Sequence, residues 1–195
     1  QARYAYENIH FPSDFGALEL ARQRFIFEEF FVLACALNKM RGERVEQGGI
    51  VMDGADAEAF FASLPFPPTG AQRRAVTQAI NDMRSGRVMN RLLQGDVGSG
   101  KTLVAAALIW YVWKCGFTSA FMAPTEILAE QHFLTLNLLF SPFGLRVARL
   151  TGAMTAKEKR EVKAALAAGS IDLIVGTHAL FSTDVEYSRL GLVVT

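Results

Sequence analysis

The chain has 195 residues, 51% hydrophobic and 20% charged, with mean hydropathy +0.20 and a formal net charge of +1. That length accommodates one domain with an appendage, and the near-neutral charge speaks neither for nor against a polyanionic partner, so any nucleic-acid contact has to come from local placement and backbone amides. The longest uncharged apolar stretch, 102–113, is too short to cross a bilayer, and two cysteines, Cys35 and Cys115, exclude a disulfide framework; they read as reduced core residues of a soluble cytoplasmic protein.

Residues 1–16 read as irregular, broken by Pro12 and Gly16, without the basic start and apolar block of a secretion signal. A helix is expected over 17–40, with Leu18, Ala21, Phe25, Phe30, Phe31, Leu33 and Leu37 apolar. Its aromatic content (Phe25, Phe27, Phe30, Phe31) reads either as packing onto the rest of the protein or as a partner surface. Residues 41–54 are polar and Gly-rich, a loop or hairpin connection, and a short helix over 56–63 ends before Pro65. Pro65, Pro67 and Pro68 mark a boundary, giving a helical extension at 1–64 and a nucleotide-binding core at 65–195. Thr69 is placed to cap a helix running to Met83, with Val76, Ile80 and Met83 on one face.

Strand and helix patterns then alternate. Strands are expected at 88–94, 118–123, 146–150, 172–176 and 190–194, and helices at 101–114, 125–138 and 155–168. Strands apolar along their whole length suit a parallel sheet covered on both faces, so the class is α/β, a RecA-like P-loop fold behind an N-terminal helical extension. The chain starts without Met and stops in an apolar strand pattern, which reads as a piece of a longer polypeptide.

The expected strand at 88–94 runs into Gly95-Asp96-Val97-Gly98-Ser99-Gly100-Lys101-Thr102, a complete G-x-x-x-x-G-K-T phosphate loop opening a helix. Its glycines let successive N–H groups turn inward around phosphates, and the helix adds the positive end of its dipole. Lys101 would reach the β/γ-phosphates, and the Thr102 hydroxyl would coordinate Mg²⁺. Later strands end in similar fashion. Pro124-Thr125 precedes a helix, Thr151-Gly152 follows the next strand, and Thr177-His178 follows the one after. Each alone is a common cap or turn. Together they make a row of amide and hydroxyl sites on the sheet edge that carries the phosphate loop, too extended for one nucleotide and suited to a nucleic-acid backbone.

These segments, Gln94–Thr102, Ala123–Gln131, Leu150–Gly152 and Gly176–Leu180, together with Ile9–Pro12 and the helix containing Ala21–Phe25, resemble the bacterial RecG family of superfamily 2 DNA helicases across essentially the whole chain. Transcription-repair coupling and primosomal translocases share parts of the pattern, and a small-molecule phosphotransferase or a non-catalytic interaction module are the alternatives from other classes. The resemblance implies ATP and Mg²⁺ as cofactors, branched or forked DNA as partner, Gln72 as the residue reading adenine, and Pro124, Thr125, Thr151, Gly152, Thr177 and His178 as contacts to the DNA backbone. It also implies that an Asp-Glu-x-His motif, a second RecA-like lobe and a wedge domain lie outside these residues, so that the 195 residues alone neither hydrolyse ATP nor unwind DNA.

Overall fold

The computed structural model describes residues 2–45, 48–86 and 88–195. They fall into two compact units, Gln1–Gly48 and Gly49–Thr195. The division precedes the expected boundary because Met52, Phe60 and Phe61 are buried in the second unit's core.

The first unit is two helices, α1 (Ala2–His10) and α2 (Phe15–Val45). The first is a departure from the irregular start expected there. Arg3 and Glu7, one turn apart, pair at 2.8 Å, and the Asn8 side-chain amide donates to the Tyr4 carbonyl at 3.0 Å. The Asp14 carboxylate then accepts the Ala17 N–H at 2.8 Å and caps α2, a bond that also holds this carboxyl below its usual range. Small buried residues, Ala5, Ala17 and Ala21, let the helices approach, and Tyr6 meets Phe25 edge-on. Helix α2 continues past the expected end at Met40, so the loop expected from 41 starts later; residues 46 and 47 lie outside those described. Cys35, expected in a core, is exposed, because the 9-residue α1 covers only one end of the 31-residue α2. Cys115 is half-buried, and both thiols are free.

The second unit contains α3 (Glu58–Ala62), α4 (Gly70–Arg84), α5 (Lys101–Lys114), β1 (Thr118–Met122), α6 (Glu126–Phe140), β2 (Val147–Leu150), α7 (Ala156–Ala167), β3 (Leu173–Gly176) and β4 (Leu190–Val194). Thr69 caps α4 as expected, and Thr125 and Thr155, expected as the first residues of their helices, are the caps of α6 and α7. Thr69 and Thr155 form reciprocal capping boxes with Gln72 and Glu158, and Thr125 accepts the Leu128 N–H. The four strands form a parallel sheet in the order β2-β3-β1-β4, which bears out the expected class. Val76, Ile80, Ile109, Leu136 and Phe140 cover one face against Phe121, Leu173, Val175 and Leu192. Leu166 and Leu180 cover the other against Ala120, Leu150 and Ile174.

The strand expected at 88–94 is not formed: these residues have no ladder partner, and Val88 and Leu92 are exposed. An apolar run supplies only half of a strand, and the other half is a neighbour's backbone. The segment is tied to α4 instead, where Arg91 forms a two-point ion pair with Asp82.

Candidate nucleotide and nucleic-acid site

A three-residue connection reverses the chain between α5 and β1, so the N-terminus of α5 lies at the carboxyl end of the sheet. The phosphate loop sits there. Gly98 and Gly100 adopt φ of 77° and 78°, the left-handed region that glycine tolerates without strain. Gly100 occupies the N-cap of α5 and offers no side chain to its opening amides, of which the Leu103 N–H is taken by the Gly100 carbonyl at 3.0 Å. Within the loop, the Val97 N–H donates to the Asp96 carboxylate at 2.8 Å and the Ser99 N–H to the Asp96 carbonyl at 3.2 Å. The Lys101 ammonium donates to the carbonyls of Gly95 and Asp96 at 2.9 and 2.7 Å. The loop is thus closed on its own lysine, and a polyphosphate would offer that ammonium charged acceptors in place of neutral ones.

Gln72 is brought to this loop. Its Nε2 donates to the Ser99 carbonyl at 2.9 Å, and its Oε1 accepts the Thr69 N–H at 2.8 Å. A Cβ on Gly100 would overlap Gln72 Nε2, so α4 and the loop are fitted to one another. The fit of the loop to a nucleotide rests on these features: a glycine cradle, a helix N-terminus and the Lys101 ammonium held on neutral carbonyls. Thr102 opens α5 beside Lys101. Among the described residues no cluster of three or more His, Cys, Asp or Glu could hold a metal ion.

The remaining residues singled out in the sequence stand at the ends of neighbouring strands. Across the sheet the order is Thr151-Gly152 after β2, Thr177-His178 after β3 and Pro124-Thr125 after β1. With strands about 4.8 Å apart, the row covers roughly 10 Å, or about three steps of a nucleic-acid strand at 3.4 Å each. Thr151 and Thr177 are buried, at 4% and 3% exposure, whereas Pro124, Thr125, Gly152 and His178 are exposed, so the open part of the row is carried by these four. Gly176 ends β3 without a side chain because a Cβ there would overlap the Leu150 carbonyl of β2.

Two contributors escaped the sequence reading. The Glu126 carboxylate accepts the Ala153 N–H at 2.8 Å, and the Lys159 ammonium donates to the Gly152 carbonyl at 2.6 Å. Both tie the turn after β2 to its flanking helices. No local signal announces a pair 27 positions apart. Beneath the turn, Glu130 pairs with Arg149, and the Thr155 hydroxyl and N–H hold the Glu158 carboxyl below its usual range.

A P-loop at a helix N-terminus, on one edge with a row of strand-end backbone sites, defines a nucleotide-binding motor class. The model for DEAD/DEAH box helicases matches residues 69–195, and the chain belongs to that family. Among individual proteins it is similar to the ATP-dependent DNA helicase RecG of Thermotoga maritima, 50% identical over 97% of this chain and 25% of the relative. The RecG of Streptococcus pneumoniae is 45% identical over 97% of this chain and 28% of its own length. A solved structure of RecG bound to a three-way DNA junction superimposes with a TM-score of 0.88 at 50% identity, covering 97% of this chain and 26% of that one. The chain therefore spans about a quarter of the length of these relatives. Among the described residues no helix is long and apolar enough to cross a membrane.

Proposed function

We propose that this chain is the ATP-binding first motor lobe of a cytoplasmic DNA helicase that remodels branched DNA, such as stalled forks and recombination intermediates. The observation that carries the reading is the placement of the turns at Thr125, Thr151 and Thr177, each after the carboxyl end of a strand of one parallel sheet, with the Gly95–Thr102 loop at the N-terminus of α5, the helix that runs back into β1. The relatives' names and the junction-bound structure support the same assignment.

In this reading ATP binds with its phosphates against the loop amides. Lys101 exchanges its two carbonyl acceptors for β/γ-phosphate oxygens, and the Thr102 hydroxyl would hold Mg²⁺, which would supply neutralising charge to the phosphates. Gly95, Asp96, Val97, Gly98, Ser99 and Gly100 supply the cradle. Gln72 releases its bond to Ser99 to present its amide to the adenine edge. Pro124, Thr125, Thr151, Gly152, Thr177 and His178 line the path of a DNA backbone. Contacts of this kind carry no sequence information, which suits a motor that steps on any sequence. Work would come from closure of a second lobe onto this one, moving one DNA grip relative to another.

The test is a paired titration of the chain with a fluorescent ATP analogue and with forked DNA. The account expects both to bind, and Lys101→Ala to weaken the nucleotide only. Nucleotide binding with no affinity for any DNA would favour a small-molecule phosphotransferase.

A further inference from the structure

The turn after β2 is held at a fixed distance from the start of α6, although a whole strand lies between them. Thr125 and Glu126 follow β1, the Thr151–Ala153 turn follows β2, and β3 separates the two. Two strand spacings make a gap of about 10 Å. Glu126 crosses it. Its Oε1 accepts the Ala153 N–H at 2.8 Å, and a Cβ on Gly152 would lie only 2.8 Å from that same oxygen, so glycine at 152 is what lets the carboxylate seat. One turn further along α6, Glu130 pairs with Arg149 of β2. From the other flank, Lys159 of α7 holds the Gly152 carbonyl at 2.6 Å. The carboxylate of Glu126 is itself favoured at the first position of a helix by the helix dipole.

We infer that Glu126 is a positioning residue that sets the spacing between the Thr125 and Thr151-Gly152 grips, so that both meet one nucleic-acid backbone in register. This rests on the reading of those turns as DNA grips. A carboxylate beside a phosphate path would repel the ligand, so Glu126 acts on it through the turn, by its bond from the Ala153 N–H, and not by direct contact.

The test compares the chain with Glu126→Ala and Glu126→Gln by fluorescence-anisotropy titration of forked DNA, by titration of an ATP analogue, and by hydrogen exchange at the Ala153 amide. Glu126→Ala is expected to speed exchange at Ala153 and to weaken DNA binding about tenfold, the loss of one charge-assisted hydrogen bond. Nucleotide affinity should stay unchanged. Glu126→Gln keeps an acceptor and should restore both the slow exchange and the DNA affinity to within about twofold of the unsubstituted chain. Unaltered DNA affinity in Glu126→Ala overturns the inference, as does tighter binding in both variants, which would make Glu126 an anion competing for the Ala153 amide. Parallel loss of nucleotide and DNA affinity also overturns it, since that marks general disruption of the fold. If the unsubstituted chain binds no DNA, the functional reading itself fails, and the exchange rate at Ala153 still reports whether the brace exists.

Discussion

The phosphate loop and the turn after β2, to which the proposed function gives similar tasks, are held by opposite means. The loop is bound mostly by itself: Lys101 folds back onto Gly95 and Asp96, Gln72 alone reaches it from α4, and the apolar segment leading into it lies outside the sheet. The turn is bound by its neighbours, with Glu126 on one side, Lys159 on the other and a capping box at Thr155 immediately after it. The difference suits two kinds of ligand. A nucleotide that must enter and leave can exchange bonds with a loop that satisfies its own lysine meanwhile. A DNA backbone that must slide past needs a surface whose spacing is already set.

Substitutions should separate the two regions cleanly. Lys101→Ala removes charge-assisted bonds of about 1.5–3 kcal/mol, hence roughly 10- to 150-fold in affinity for an ATP analogue, and should leave the melting temperature nearly unchanged. Gly176→Ala should do the reverse. The new Cβ overlaps the Leu150 carbonyl, and prying β2 from β3 at about 1–3 kcal/mol should lower the melting temperature by roughly 2–12 °C while nucleotide affinity holds. An equal response of both readouts to either substitution would break the distinction.

Thr155→Ala removes the cap of α7 at a cost of about 1 kcal/mol, read as a melting-temperature drop of roughly 2–4 °C, and should return the Glu158 carboxyl toward its ordinary range. The smallest effect is expected at the far end of the strands. Burial raises the Asp172 carboxyl, but hydrogen bonds from the Arg146 side chain and backbone outweigh it and hold the group below its usual range. A depressed folded-state value means that this stabilisation is present above the ordinary carboxylate range and disappears as pH falls through the folded value. Asp172→Asn should therefore lower the melting temperature slightly at pH 7, and the gap to the unsubstituted chain should narrow on acidification. A gap that widens in acid would contradict the assignment.

What the sequence makes legible here is what physics keeps local. Thr69, Thr125 and Thr155 announce helix starts because a cap needs only the next three residues, and the all-apolar strands announce burial on both faces. Residues 88–94 mislead because apolar character says nothing of whether a neighbouring backbone is at hand. Helix α1 escapes because it is only 9 residues long and its apolar contacts, buried Ala5 and Tyr6 against Phe25, are made with α2 rather than within its own segment. The phosphate loop is readable in full, whereas Glu126 and Lys159 are not, since their partners are fixed only once β3 has inserted between β1 and β2.

The central claim, that one sheet edge carries both a nucleotide loop and a backbone path for DNA, is tested most directly by titrating the chain with forked DNA of differing sequence over a range of salt. Grips made of amides and hydroxyls spanning about three phosphates predict affinity indifferent to sequence, with a slope of log K on log salt no steeper than about −3. Absence of binding at low salt in a chain that still binds the ATP analogue, or affinity that follows base sequence, would contradict it.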